Sequence, residues 1–254
     1  MKKPQTDAEV EMVKMDPAWI DRQGLESRGR ECLASMGLYI FNRDLLFEIL
    51  EKTSYEDFGK EVFPAAIRSR KVQVHLFDDY WEDIGTIRAF YEANLQLTRQ
   101  NAPFDLVCPS NPVYSRARYL PPSRLDGATV NNSLIADGCR IGAGTVIENS
   151  IIGLRCVIGE NVTIRNSIIM GSDYLDNDED LHRFAQAGEP NTGIGDGSKI
   201  LGAILDKNCR VGSNVVVENA SGIDESDQFE PCLIRDGLPI LLKDAMLPDN
   251  FVMK

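Results

Sequence analysis

The sequence predicts two structural classes in one chain, an α/β region over residues 1–100 and an all-β parallel β-helix over residues 125–254. Three observations support this prediction. Short apolar runs alternate with amphipathic helical patterns in the first region, and five prolines without periodicity mark residues 101–124 as a linker. Beyond the linker an aliphatic residue recurs at intervals of six, with two steps of five, from Ile147 to Ile152 and from Ile200 to Leu205. We therefore expect two domains joined by a short linker.

The first region contains four recognisable elements. The runs "LASMGLYIF" (33–41) and "KVQVHLF" (71–77) are typical of strands, since they are short, apolar and partly alternating. The run "NRDLLFEILEK" places Asn42 as an N-cap before an amphipathic helix, and "TIRAFYEANLQLTRQ" (86–100) also has helical periodicity. Alternation of strands and helices indicates an α/β fold.

The second region repeats with a period of six residues, which is the signature of a parallel β-helix with three strands per coil. In such a coil the aliphatic residue points inward and stacks on its equivalent one coil away, and the position four residues later must be small or β-branched. The hexapeptide class winds left-handed, against the usual crossover rule. The predicted inward aliphatic residues are Ile135, Ile141, Ile147, Ile152, Ile158, Ile164, Ile194, Ile200, Leu205, Val211 and Val217. The predicted small positions are Cys139, Thr145, Cys156, Val162, Ser198, Cys209 and Val215.

One acidic segment, over residues 171–193, interrupts the repeat. We expect it to leave one corner of the prism as a loop. A solvated excursion is the favoured interpretation, and a binding role is the alternative.

Charge and hydropathy exclude several classes of function. The 254 residues include 27 Lys and Arg against 39 Asp and Glu, a net charge of −12, which disfavours general binding to nucleic acid or anionic membranes. No apolar run approaches the roughly 20 residues that span a bilayer, and the first residues lack the apolar segment of a signal peptide. We therefore expect a cytoplasmic protein.

The six cysteines are scattered without a CxxC pair or a histidine at ligand spacing. This pattern predicts reduced, structural thiols rather than a zinc site or a disulfide framework. The three at small positions of the repeat already have a packing role.

Hexapeptide acyltransferases share this kind of β-helix and use a histidine between coils as a general base. The chain has only His75, in the run 71–77, and His182, in the interruption. Neither lies in a coil, so acyl transfer is the remote alternative.

Seven segments, in this order, carry a resemblance to a known family: "CLASMGLYIF", "FGKEVFPAAI", "YWEDIGTIRAFYEANL", "RARYLPPS", "GSDYL", "LDKNCRVG" and "LLKDAMLP". Together they closely resemble the ADP-glucose pyrophosphorylases (glucose-1-phosphate adenylyltransferases) of cyanobacteria and plants, from the first residues to the last. The resemblance implies a partial Rossmann-like nucleotidyltransferase domain before the β-helix. It also implies formation of ADP-glucose and pyrophosphate from ATP and glucose 1-phosphate, for glycogen or starch synthesis.

The resemblance also implies site residues. Asp83 of "WEDIGT" matches the family aspartate that holds Mg²⁺ near the phosphates, a chemistry that suits a hard cation and a carboxylate. Glu82 would orient the sugar or neighbouring groups, and Ser35 and Gly37 match the strand that lines the glucose pocket. Lys3 matches the lysine that binds the phosphate of glucose 1-phosphate, although another lysine replaces the family glutamate before it.

A second implied site binds a phosphorylated effector. The family builds it from an arginine before "YLPP" and lysines in "DKN" and "KDA", which here are Arg118, Lys207 and Lys243, with Arg116 beside them. Convergent cations in an acidic protein suit a small anion. The family also implies a homo- or hetero-oligomer through the β-helix.

The chain departs from the family pattern in one respect: it contains no GGxGxR loop of the kind that holds ATP phosphates. Residue 1 matches a point about two-fifths along the family, so strand edges and apolar faces are expected to lack cover. We expect the 254-residue chain alone neither to bind ATP productively nor to transfer adenylate. A non-catalytic partner of a full-length subunit is the alternative, and the nucleotide base is left open.

Overall fold

A computed structural model describes residues 6–253 of the chain. They form two compact units, residues 6–83 and 84–253. The helices of the first unit are α1 (Asp7–Val13), α2 (Pro17–Arg22), α3 (Arg43–Lys52) and α4 (Phe63–Ser69), the last preceded by a π-helical turn (Phe58–Val62).

The helix predicted after Asn42 is confirmed in the first unit. The Asn42 side chain accepts hydrogen bonds from the amides of Asp44 (3.1 Å) and Leu45, so it satisfies donors that the first turn leaves without partners. Aromatic contacts attach the segment 33–41 to α4, where the rings of Tyr39 and Phe63 lie 4.9 Å apart.

The strands predicted at 33–41 and 71–77 are wrong. In the part of the first unit that the structure describes, neither segment belongs to a strand. A strand requires a neighbour for its backbone hydrogen bonds, and the two segments do not pair with each other. Their apolar side chains remain outside: Ile40 is fully exposed, Leu38 is 80% exposed and Val74 is 67% exposed.

The second unit is a prism of three parallel sheets. The first contains β1 (Arg124–Leu125), β4 (Arg140–Ile141), β7 (Val157–Ile158), β10 (Gly193–Ile194), β13 (Arg210–Val211) and β18 (Met246–Leu247). The second contains β2 (Thr129–Asn131), β5 (Val146–Glu148), β8 (Thr163–Arg165), β11 (Lys199–Leu201) and β14 (Val216–Glu218). The third contains β3 (Leu134–Ile135), β6 (Ile151–Ile152), β9 (Ile168–Ile169), β12 (Ile204–Leu205) and β17 (Leu238–Leu241), extended antiparallel by β16 (Cys232–Arg235) and β15 (Ser226–Phe229).

The register of these sheets confirms the six-residue repeat. Ile147 pairs with Ile164, Ile164 with Ile200 and Ile200 with Val217, and all four side chains are fully buried. Each therefore packs against its equivalents in the coils above and below, where burying an aliphatic side chain contributes about 1.5–3 kcal/mol.

The small positions are confirmed as buried, and Thr145 shows why a polar residue is tolerated there. Its hydroxyl donates to the carbonyl of Gly159 (2.8 Å) and accepts from the amide of Val162 (3.1 Å). The same burial extends to the third corner, where the sequence analysis identified no small residues. The buried residues of that corner are Ser150, Ser167 and Ala203.

Helix α5 (Ile87–Gln96) belongs to the second unit, although its sequence continues the α/β pattern of the first. Thr86 caps it by accepting from the amide of Ala89 (3.1 Å), which confirms the predicted helix start. Its apolar face, including Leu95, covers the outward side chains of Ile168, Ile204 and Ile240 on the third sheet. The predicted domain limits at residues 100 and 124 stay a prediction. The boundary between the two compact units falls after residue 83 in the sequence.

The interruption predicted as a loop contains helix α6 (Asp178–Ala187). Asn177 and Asp180 form a reciprocal capping box at its start, and Gly188 ends it in the left-handed conformation. Phe184 is buried beneath the guanidinium of Arg210, 4.5 Å from the ring centre. Both capping signals are visible in the sequence, so the helix was predictable.

Two further expectations concern the cysteines and the membrane. All six cysteines are free, and four of them are buried: Cys139, Cys156, Cys209 and Cys232. Over residues 6–253 no helix is long and apolar enough to cross a bilayer.

Candidate functional site

The acidic segment 78–83 lies directly before the capped start of α5. Asp78 forms an ion pair with Arg30 (2.5 Å), and this hydrogen bond lowers the pKa of the Asp78 carboxyl. Asp79 accepts from the amide of Tyr80 (2.7 Å). Glu82 and Asp83 are exposed, so their carboxylates lie on the surface of the chain.

These carboxylates do not form a metal cage. In the described part of the chain no group of three or more His, Cys, Asp or Glu side chains is placed to hold an ion. Asp83 therefore offers a single carboxylate. That suits Mg²⁺, which keeps several waters and is commonly bound through one or two carboxylates together with substrate phosphates.

Two of the predicted sugar-binding residues, Ser35 and Gly37, lie together on one turn. The Ser35 hydroxyl lies 3.1 Å from the hydroxyl of Tyr39 and accepts from the amide of Gly37 (3.3 Å). Gly37 has a φ of 72°, a conformation that favours glycine. Ser35 and Gly37 are exposed. Lys3 lies outside the described residues.

Two of the predicted effector residues meet at one corner of the prism. Lys207 Nζ lies 2.6 Å from Asp173 Oδ1, and Lys243 Nζ lies 3.6 Å from Asp173 Oδ2. Asn208 also contacts this carboxylate. Its side-chain oxygen accepts from the amide of Asp173, and its side-chain nitrogen donates to the carboxylates of Asp173 and Asp244. We call these five residues the lysine corner.

Backbone hydrogen bonds between successive coils position the residues of the lysine corner. Lys207 follows β12 and Lys243 follows β17, and the amide of Asp244 donates to the carbonyl of Lys207 (2.9 Å). Asn208 and Asp244 both have φ near 60°, which short polar residues tolerate at a tight corner. The hydrogen bond from Lys207 lowers the pKa of Asp173. Sequence reasoning missed Asp173 and Asn208, although "GSDYL" and "DKN" contain them.

The predicted arginines lie elsewhere in this structure. Arg118 donates to the carbonyl of Arg116 (3.3 Å), within the irregular segment after α5. That segment reaches the prism at Pro121, whose carbonyl accepts from the amide of Gly138. Backbone hydrogen bonds of this kind continue from coil to coil along the same corner of the prism as far as Lys207. Four rungs of about 4.8 Å separate Pro121 from the rung of Lys207, a distance of about 19 Å. The participation of the arginines stays a prediction.

Comparison with known proteins assigns both parts of the chain. Residues 3–100 match the nucleotidyl transferase family, and residues 118–252 match the GLGC left-handed parallel beta-helix domain. The chain therefore combines a nucleotidyl transferase region with a left-handed β-helix. It belongs to the GLGC family, the family of glucose-1-phosphate adenylyltransferases.

A relative from Zea mays extends this result along the chain. The chloroplastic/amyloplastic large subunit 1 of glucose-1-phosphate adenylyltransferase is 39% identical over 224 residues, which are 87% of this chain and 43% of the relative. The chain thus spans less than half the length of that relative. The match to a left-handed parallel beta-helix domain confirms the predicted handedness of the β-helix. Nucleotidyl transferases generally use a divalent metal. The acyltransferase alternative gains no support, since His75 and His182 are exposed and lie outside the coils.

Proposed function

We propose that the protein takes part in forming ADP-glucose and pyrophosphate from ATP and glucose 1-phosphate in the cytoplasm. The observation that carries this proposal is the 39% identity to a glucose-1-phosphate adenylyltransferase subunit across both the nucleotidyl transferase region and the β-helix. The chain supplies the sugar-phosphate side of the reaction and the β-helix through which subunits assemble.

Each exposed site residue has a defined task in this proposal. Asp83 would hold Mg²⁺, which would neutralise charge on the phosphate oxygens. Ser35 and the turn at Gly37 bind sugar hydroxyls, and Glu82 orients the sugar from the side of Asp83. Lys3 pairs with the phosphate of glucose 1-phosphate.

The lysine corner is the receptor for a phosphorylated effector. Lys207 and Lys243 already converge on one carboxylate, which occupies the position that a phosphate takes when it binds. An effector therefore competes with Asp173 for the two ammonium groups. Arg116 and Arg118 are proposed as further partners of the same anion because of their position before "YLPP".

A second function remains, that of a non-catalytic partner of a full-length subunit. One observation favours it: by its name, the Zea mays relative is a large subunit, one of the subunits of an assembly. We expect the 254-residue chain alone to release no pyrophosphate from ATP, glucose 1-phosphate and Mg²⁺.

A chimera separates these functions. The part of the Zea mays relative that precedes the matched region is fused before Met1, and pyrophosphate release is measured with and without Asp83→Asn. We expect Mg²⁺-dependent release that falls about a hundredfold in Asp83→Asn, a loss typical of removing a charge-stabilising group. The matched variant Asp79→Asn should stay within about threefold. A folded, ATP-binding chimera without activity favours the partner function.

Anion binding at the lysine corner is tested on the chain itself by calorimetry with 3-phosphoglycerate. Lys207→Ala and Lys243→Ala should each weaken binding about tenfold, the lower end for a charge-assisted hydrogen bond on an exposed group. Lys199→Ala, on a neighbouring face of the prism, is the control. Equal losses in all three variants would indicate nonspecific attraction.

A further inference from the structure

Two buried thiols lie side by side on neighbouring coils of the β-helix. Cys139 directly precedes Arg140 and Cys156 directly precedes Val157, and Arg140 pairs with Val157 in the first sheet. The amide of Arg140 donates to the carbonyl of Cys156 (2.9 Å), so a backbone hydrogen bond joins the two coils beside the cysteines. Both side chains belong to the core of the prism, since Cys139 is 1% exposed and Cys156 is 4% exposed.

The spacing of these two cysteines suits a disulfide bond. Neighbouring strands lie about 4.8 Å apart, which falls within the roughly 4.4–6.8 Å that separates the Cα atoms of bonded cysteines. The sulfur of Cys139 also reaches the coil of Cys156, because it lies 3.1 Å from the carbonyl oxygen of Gly153. The hydrogen bond between the two thiols lowers the pKa of Cys139 to about 7 and raises the pKa of Cys156. Cys139 is therefore the thiol that ionises first, and the thiolate is the nucleophilic form.

Cys209 occupies the same inward position farther along the prism but cannot join this pair. Thr192 precedes Gly193, which pairs with Arg210, so Thr192 lies on the coil between Cys156 and Cys209. Two coils correspond to about 9.6 Å, which exceeds the limit of about 7 Å for bridging two Cα atoms. The spacing therefore selects Cys139 as the partner of Cys156.

Cys139 also lies close to one end of the β-helix. Its amide donates to the hydroxyl of Ser123 (3.1 Å), and Ser123 directly precedes β1, the edge strand of the first sheet. In this sheet one coil thus lies beyond Cys139 among the described residues. The terminal coil of a repeat opens at a lower free energy than the coils inside it, so a small molecule can reach Cys139 without unfolding of the whole prism.

We propose that Cys139 and Cys156 are a modification site, at which a peroxide converts two thiols into a disulfide bond. The Cys139 thiolate attacks one oxygen of the peroxide, the O–O bond breaks, and the product is a sulfenic acid. The sulfur of Cys156 then attacks the sulfur of Cys139, and the sulfenic oxygen leaves as water. With hydrogen peroxide, the two thiols lose two electrons and two protons, and the peroxide becomes two molecules of water. A thiol reductant reverses the bond.

The bond would connect two successive coils at one corner of the prism. It closes a loop of one full coil, from Cys139 to Cys156, and so opposes opening of this end of the β-helix. The amide of Arg140 is a local reporter, because its hydrogen bond to the carbonyl of Cys156 has to break when the two coils separate.

Peptide mapping of the full chain tests the modification. The background variant carries Cys32→Ser and Cys108→Ser, which remove the two cysteines that are not buried and so prevent bonds between molecules. After treatment with hydrogen peroxide at pH 8, free thiols are alkylated in denaturant, and the digest is analysed by mass spectrometry without reduction. We expect one linked pair of peptides, joining Cys139 to Cys156, and alkylated Cys209.

Two serine variants separate pairing from general reactivity. Cys156→Ser should fold, since serine fills another fully buried small position at Ser198. Without its partner thiol, Cys139 should give no linked peptide and should proceed to a sulfinic acid. Cys209→Ser is the matched control and should keep the link between Cys139 and Cys156.

Amide hydrogen exchange measures the consequence for the coils. In the oxidised background variant the amide of Arg140 should exchange about tenfold more slowly than in the reduced one, and dithiothreitol should restore the faster rate. The amide of Lys199, which donates to the carbonyl of Val215 in the second sheet, is the reference and should not change.

Three results would overturn the proposal. Complete alkylation of Cys139 and Cys156 after peroxide treatment refutes the disulfide bond. Conversion of Cys139 to a sulfinic acid while Cys156 is present also refutes it, because the second thiol then does not reach the first. Equal oxidation of Cys209 indicates that peroxide acts on unfolded chains rather than on this pair.

Discussion

The β-helix and the region before it use apolar residues in opposite ways. In the β-helix, Ile147, Ile164 and Ile200 are fully buried on one another. In the first unit, Leu38 and Ile40 are equally apolar yet lie on the surface. Each coil of the prism supplies a hydrogen-bonding neighbour for the next, whereas the segments 33–41 and 71–77 have no such neighbour among the described residues.

The difference shows that a repeat makes strand formation local. A strand of the prism finds its partner 17 residues away in a regular coil, as Ile147 does in Ile164. A strand of an α/β sheet depends on partners that are distant in sequence, so its apolar pattern alone does not form it.

Amide hydrogen exchange should show the largest contrast. Backbone amides of 33–41 and 71–77 should exchange close to the rate of an unstructured chain, because they lack ladder partners. In the prism, the amides of Val146 and Thr163 donate backbone hydrogen bonds of 2.8 and 2.9 Å. Their exchange should be slower by a factor of at least about a thousand. Helix α3 serves as an internal control and should be intermediate. Strong protection of 33–41 would show that it pairs as a strand in solution.

Thiol reactivity should divide the cysteines between exposed and buried positions. Exposed Cys32 and half-buried Cys108 should react with a disulfide reagent at pH 8, and the hydrogen bond from Ser110 lowers the pKa of Cys108. Burial raises the pKa of Cys209 to about 12 and that of Cys232 to about 11, so at pH 8 they remain thiols. The four buried thiols should react about a hundredfold more slowly.

The result is checked by absorbance of the released thiolate, before and after denaturation. Two equivalents are expected in the native protein and six in denaturant. Raising the pH to 9 should not increase the native count. The raised pKa values of Cys209 and Cys232 lie above that pH, and although the hydrogen bond with Cys156 lowers the pKa of Cys139 to about 7, burial keeps Cys139 away from the reagent. A native count above two would show that the prism opens readily.

The prism was predicted well because its repeat places aliphatic and small side chains at fixed intervals along the sequence. The positions of Ile164 and Cys156 follow from counting, and the structure buries both. The predicted strands of the first region failed since their partners cannot be read from the run itself. Helix α6 was missed because acidic composition was given more weight than the capping signals Asn177 and Gly188.

The site was predictable only in part for a similar reason. Lys207 and Lys243 were found through the family resemblance, and the coil brings them to one corner. Asp173 lies 34 residues from Lys207 across the interruption, and no local pattern indicates the pairing.

A core substitution tests the contrast through stability. Ile164→Ala leaves a cavity in a fully buried stack and should lower the free energy of unfolding by about 2–5 kcal/mol. Ile40→Ala, at a fully exposed position, should change it by less than about 0.5 kcal/mol. Urea denaturation followed by circular dichroism measures both. Similar losses would mean that the first unit buries Ile40 in solution.

The smallest expected effect concerns the lysine corner, where a carboxylate already occupies the place of an anion. Asp173→Asn removes the competing charge but keeps the shape, so sulfate should bind about tenfold more tightly at low salt. Asp244→Asn keeps an oxygen that accepts from Asn208, and among the described residues the Asp244 carboxylate forms no ion pair with Lys207 or Lys243, so this variant is the control and should change affinity less. Because the bond from Lys207 lowers the pKa of Asp173, its ion pair persists as the pH falls from 7 to 4 and is lost only as the pH passes through that lowered pKa. Sulfate, whose charge is constant over this range, should therefore gain no affinity from protonation of Asp173 above pH 4, and a rise near pH 5 would show that the pair is weaker in solution.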